Sequence, residues 1–252
     1  MPRDPRLSYG ATMSDAYLEL IDWRRRIAEL YAAWRSEAAY HPEAATTAFR
    51  AAREALFMSH PQSPLPAARR ASGPPPAWWP YDPAWRMTAT FEAGAVPGPH
   101  DDGNSPGDGG HDGGNIGQGA AGQASAGPPS PILAVPSSGP SPFTVRRIGR
   151  VDLSGPLAGH SLAALWIEGY GNGLFLPFRD ATSGGQTYGA GRYLLDTVKG
   201  SDHGADPASG TLTLDFNMAY HPSCAYDSRW VCPLAPLENR LPVAITVGER
   251  LA

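Results

Sequence analysis

Residues 178–192 hold the densest run of side chains able to do chemistry: Phe178-Arg-Asp-Ala-Thr-Ser-Gly-Gly-Gln-Thr-Tyr-Gly-Ala-Gly-Arg192. The run supplies two guanidiniums (Arg179, Arg192), one carboxylate (Asp180) and the hydroxyls of Thr182, Ser183, Thr187 and Tyr188. Arginine offers a two-pronged fork to phosphate or carboxylate, and a glycine-rich turn offers backbone amide donors. Glycine also lets a ligand approach the main chain. The spacing matches neither the phosphate loop of the P-loop proteins nor the dinucleotide fingerprint. A structural alternative stands beside the site reading: a hairpin in which Asp180 caps its own turn and Arg192 pairs with it.

A second polar stretch runs from Asp215 to Pro242. His221-x2-Cys224-x7-Cys232 could supply three zinc ligands, with His203 or a water as the fourth, but the tight Cys-x2-Cys pairs of structural zinc sites are missing. No metal is assigned on that basis. Cys224 could instead be a nucleophile with His221 as its base, or pair with Cys232 as a disulfide. The favoured reading is two small residues packing an irregular loop. Glu238-Asn239 lies between prolines and is either a loop anchor or a ligand contact. Asp108-Gly-Gly-His-Asp-Gly-Gly114 invites a calcium-repeat reading, but its nine-residue period is not sustained.

These residues need elements to hold them. Leu20, Trp23, Ile27, Leu30 and Trp34 recur at helical spacing and predict an amphipathic helix over 14–39, with Ser14 as N-cap. Ala45, Phe49, Ala52 and Leu56 predict a second over 43–58. The His41-Pro42 step between them makes an antiparallel helical hairpin. From His60 onward prolines forbid helix, and strands follow. The predicted strands are 85–91, 143–148, 162–167, 173–178, 192–196, 211–218 and 243–247, separated by glycine-rich turns as in an antiparallel meander. Strict alternation over 211–217 aims Leu212, Leu214 and Phe216 at the core. It puts Thr211, Thr213, Asp215 and Asn217 on the opposite face, where a covered sheet would make them a pocket wall.

The expected fold is α+β: an N-terminal helical hairpin packed on a mainly antiparallel β-barrel or β-sandwich domain. Residues 1–13 read as a disordered N-terminus, 14–59 as the hairpin and 60–252 as the β domain. Residues 93–142 interrupt that domain with 22 Gly and Pro in 50 and no aromatic, which reads as a disordered low-complexity insertion.

Composition narrows the function classes. The 252 residues carry 20 Lys and Arg against 24 Asp and Glu; four of those acids lie in 93–142, so the remainder is neutral. No basic surplus draws it to nucleic acid. Trp23, Trp34, Trp78, Trp79 and Trp85 therefore read as core and helix-docking residues, not a base-stacking platform. No apolar run is long enough to span a bilayer, and no secretory signal is evident, so a cytoplasmic protein with two reduced thiols is expected.

Several strings together resemble the prokaryotic domain-of-unknown-function 1684 family. They are His60-Pro-Gln-Ser-Pro-Leu65, Pro80-Tyr-Asp-Pro83 with Arg86, Gly169–Gly184, Thr187–Asp196, Leu214-Asp-Phe-Asn217, Pro222–Asp227 and Cys232–Asn239. The resemblance spans the chain except residues 1–13 and 93–142, and it brings no assigned activity. His221-Pro222 stands where Asn-Pro is expected in the family, which weakens a zinc or catalytic role for His221.

The expected function is binding of a small anionic ligand or cofactor by the β domain. Arg179, Asp180, Thr182, Thr187, Tyr188 and Arg192 would form one wall, oriented by Asn217 and Asn239. The most concrete version is a flavin-type split barrel, with an oxidoreductase activity following if a flavin is bound; it rests on fold analogy. The rival is a non-catalytic structural or interaction module whose hairpin docks a partner or a second copy. A third reading is hydrolysis with Asp180 or Glu238 as base.

Overall fold

The computed structural model describes residues 13–94, 132–169 and 171–252. The expected disordered terminus, apart from residue 13, and residues 95–131 of the expected insertion lie outside the described residues. The remainder of that insertion is partly ordered, because Ile132–Val135 is a strand.

Two helices open the fold: α1 (Met13–Ala38) and α2 (Pro42–Ser59). Pro42 starts α2 at the position where a missing amide hydrogen costs nothing. Tyr31, Trp34 and Ala38 of α1 pack on Ala45 and Phe49 of α2, and the Trp34 indole donates to Thr46 Oγ1 at 3.1 Å. The spacing reading errs at one position of α2. Ala52 faces solvent, and the neighbouring Arg53 takes the inward place. A short helix α3 (Ala67–Ser72) follows. The segment before it is pinned by its own side chains: His60 Nδ1 accepts the Gln62 amide at 3.0 Å, and Ser63 Oγ accepts that of Leu65 at 3.1 Å.

The strands are β1 (Ala77–Trp78), β2 (Arg86–Ala93), β3 (Ile132–Val135), β4 (Phe143–Asp152), β5 (Ser161–Ile167), β6 (Gly173–Phe178), β7 (Arg192–Asp196), β8 (Ala205–Asp206), β9 (Thr211–Asp215) and β10 (Glu249–Arg250). One antiparallel sheet runs in the order β7-β6-β5-β4-β2-β9-β8, with β3 beside β2 on the same edge of β4; β1 and β10 pair separately. The sheet curls into a half-barrel rather than closing. Leu162, Leu176, Phe178, Leu194, Leu214 and Phe216 fill its main core. Each such side chain contributes roughly 1.5–3 kcal/mol on burial. A backbone bridge from Tyr193 to Tyr220 brings the chain beyond β9 back to the β7 edge.

Two expected strands are corrected. β9 ends at Asp215, because its carboxylate accepts the Asn217 amide and winds residues 216–218 into a 3-10 turn. Asp215 and Asn217 are consequently buried rather than lining a polar wall. Residues 243–247 form no ladder. Side chains satisfy this backbone instead: Asp180 accepts the Ile245 amide at 2.7 Å, and Arg192 donates to the Ile245 and Val247 carbonyls.

Candidate functional site

The turn between β6 and β7 brings six of the expected site residues together, and it turns most of them inward. The Arg192 side chain is fully buried, 3.2 Å from Asp180 Oδ2. It also donates to the carbonyls of Ile245 (2.8 Å), Glu249 (3.2 Å) and Val247. Its guanidinium lies over the rings of Phe178 and Trp79, 5.2 and 5.4 Å from their centroids. Burial lowers its pKa to about 10, against the pull of Asp180, so it remains a cation. Asp180 accepts from Thr182 Oγ1 at 2.8 Å and from Ser183 Oγ at 3.2 Å, and Thr182 meets Thr187 Oγ1 at 3.0 Å. Arg179 donates to the Gly189 carbonyl at 2.9 Å. The Tyr188 amide donates to His221 Nε2 at 3.2 Å. Arg192, Asp180, Thr182 and Thr187 are thus engaged with one another and with backbone.

The two asparagines are separate anchors. Asn239 Oδ1 accepts the Ala163 amide at 2.8 Å, and its Nδ2 donates to the carbonyls of Ala163 and Pro177. Pro177 has no amide hydrogen and sits at a register shift in the β6–β7 pair, so Asn239 holds the backbone where the ladder slips. Asn217 lies elsewhere, bonding Asp82 and Asp215 and accepting from Arg50 at its carbonyl. Glu238 pairs with Arg147.

Among the described residues no three His, Cys, Asp or Glu side chains converge as a metal group would require. His203 is buried between α1 and β9, 4.9 Å from Trp34 by ring centroids, with Nδ1 accepting the Asp215 amide at 3.3 Å. Burial, reinforced by Arg86 and Arg35, lowers its pKa to about 3. It is a neutral interface ring, remote in role from the thiols.

A cavity of about 190 Å³ lies where α1 faces the loops after β7 and β9. Leu20, Trp23, Ile27 and Tyr31 line it from α1 and Phe57 from α2, opposite Tyr220, Tyr226, Trp230 and Val231. Three cations reach it (Arg24, Arg53 and Lys199), and no carboxylate lines it among the described residues. Arg53 is neutralised behind the wall by the buried Glu249, at 3.2 Å. Glu249 also receives the Tyr226 hydroxyl and the His221 amide, the latter at 3.1 Å. Burial alone would raise the Glu249 pKa. Arg53, His221 and Tyr226 outweigh it and hold the carboxylate at about 2. Lys199 is 59% exposed with its ammonium 3.4 Å from Asp196, and Arg24 is exposed with no ion pair among the described residues.

Sequence reasoning did not find this cleft. Its one signal was Arg53, an arginine four residues beyond Phe49 on the apolar face of α2. Nothing near Glu249 marks it as the partner.

The model of the family described as protein of unknown function, DUF1684, matches residues 122–250. The chain belongs to that family. The DUF1684 match takes in β3 through β10, hence the β6–β7 turn, both cysteines and Glu249, but not the hairpin that completes the cleft. Among solved structures, the solution NMR structure of an uncharacterised protein from Haloarcula marismortui is similar, at 26% identity and a TM-score of 0.52. That similarity covers 83% of this DUF1684 chain and 94% of the archaeal one. No curated protein matches. No helix among the described residues is long and apolar enough to cross a membrane.

Proposed function

We propose that this chain binds a small anion with an apolar body, such as a short-chain or aromatic carboxylate, in the cleft between α1 and the β domain. One observation carries the reading: the lining is aromatic and aliphatic, its charged members are all cations, and none of them faces an acid inside the cavity. The apolar walls would hold the body by burial, and Arg24 and Lys199 at the rim would hold the carboxylate. This keeps the expected class of ligand and moves it from the 178–192 turn to the cleft. A flavin gains no support from the geometry. The cavity of about 190 Å³ is smaller than the roughly 300–1,000 Å³ of ordinary cofactor and drug-sized sites, and the turn suggested for its phosphate is closed on itself.

The test is calorimetric titration with matched pairs, phenylacetate against phenylacetamide and octanoate against octanamide. Each acid should bind, and its amide should bind at least about tenfold more weakly. Replacing Arg24 and Lys199 together by Gln should remove most of that preference without moving the melting temperature, since both side chains are exposed. Equal affinity for acid and amide, or no binding of either pair, overturns the reading.

A non-catalytic interaction module has one observation in its favour. Tyr17, Leu18 and Ile21 expose more than 60% of their surface along one side of α1. Single exposed apolar residues are ordinary, but three adjacent ones on a helix are less so.

A further inference from the structure

We propose that Cys224 and Cys232 form a peroxide-reactive dithiol, in which the Cys224 thiolate attacks a hydroperoxide and Cys232 closes the product as an intramolecular disulfide. The two are free thiols, and they are the chain's only cysteines. Cys224 is part-exposed in the 3-10 turn Ser223–Ala225; Cys232 is buried and lines the cleft. The Cys224 thiol meets three donors: the Cys232 thiol, the Ser138 hydroxyl and the Tyr188 phenol.

Their placement is built by backbone. The Ser138 amide donates to the Cys232 carbonyl at 3.0 Å, and the Cys232 amide donates to Ser138 Oγ at 2.9 Å. The Ser138 proton has the Trp230 carbonyl at 3.1 Å as its other acceptor. Cys224 is fixed by the amides of Ala225 and Tyr226, which close the turn onto Pro222 and Ser223. The Cys232 hydrogen bond, then those of Ser138 and Tyr188, lower the Cys224 pKa to about 6 against its burial. The neighbouring Cys224 thiolate, then burial, pushes Cys232 the other way, so it remains a protonated thiol. Tyr188 stays protonated, since burial and Cys224 raise it to about 12. An exposed low-pKa thiolate beside a protonated thiol is the arrangement of an attacking and a resolving cysteine.

The steps balance. The Cys224 sulfur bonds to one peroxide oxygen, the O–O bond breaks, and the leaving alkoxide or hydroxide takes a proton from water. Cys224 is then a sulfenic acid. Cys232 sulfur attacks it, the S–S bond forms, the S–O bond breaks, and the hydroxyl leaves with the Cys232 proton as water. The two sulfurs lose two electrons and the peroxide gains them.

The test uses the reduced full-length chain and hydrogen peroxide, one equivalent at a time. Intact mass should fall by two hydrogens after one equivalent, with a peptide linking Cys224 to Cys232. At pH 7 the rate should exceed that of free cysteine by about thirtyfold, the ratio of thiolate fractions for pKa values near 6 and 8.5. It should fall on acidification through about pH 6. Cys232→Ser should stop at a sulfenic acid trapped by dimedone. A rate no faster than free cysteine, a disulfide between chains, or oxidation that persists in Cys224→Ser overturns the proposal; each is read on protein whose melting curve confirms it is folded.

Discussion

At the scale of single residues, Arg192 decides how residues 178–192 are understood. The site and hairpin readings begin from the same side chains, and accessibility separates them, which residue types do not encode. A guanidinium with its side chain fully buried, beside a carboxylate that is 1% exposed, is a structural ion pair. Arg192→Met should therefore destabilise the fold by about 3–5 kcal/mol, because Asp180 is left charged and buried without its partner. Urea unfolding measures this. Adding Asp180→Asn should recover part of the loss, and a loss below ~1 kcal/mol for the single change would contradict the burial. The same contrast explains Arg53, whose apolar surroundings were visible in the spacing of α2 while its counter-charge was not.

At the scale of elements, glycines with a left-handed backbone set the corners of the sheet. Gly191 has φ +98°, and a Cβ there would lie 2.3 Å from the Phe178 carbonyl oxygen. Gly159 has φ +84° with nothing within 4 Å of such a Cβ. Gly159→Ala should cost only the left-handed penalty, about 1–2 kcal/mol, whereas Gly191→Ala should cost clearly more, because backbone must move as well. Comparing the two urea midpoints tests this. Legibility of the fold follows the same division. Both helices and most strands showed in the sequence because apolar periodicity reports one buried face directly. Residues 243–247 had the apolar content of a strand, yet Asp180 and Arg192 take over their backbone hydrogen bonds, a choice made far away in sequence. Asp215 ends β9 by the same means, a side chain competing with the ladder. The cleft was invisible because its walls come from residues 20–31 and 199–232, which no local window joins.

At the scale of the whole molecule, the hairpin and the sheet share buried polar contacts. Arg53 meets Glu249, His203 sits under Trp34, and Arg50 donates to the Asn217 carbonyl at 2.7 Å. Two of these titrate in separate acid windows. His203 has a folded pKa of about 3, below its usual 6.5, so the unfolded chain binds its proton first and stability declines as pH falls from about 6.5 to 3. Glu249, at about 2 against 4.5, contributes stability that is present above pH 4.5 and lost as pH falls toward 2. Urea unfolding across pH should show both limbs, with His203→Gln flattening the upper one and Glu249→Gln the lower. An unchanged upper limb in His203→Gln would remove that ring as its source. The Arg53–Glu249 pair also has a consequence in time. On the ribosome the hairpin emerges long before residue 249, so its inward arginine has no counter-ion while most of the chain is being made. Until β10 arrives, α1 and α2 present Trp23, Tyr31 and Phe57 as an open aromatic face. A chain stalled short of that strand is one that chaperones and proteases would recognise as unfinished.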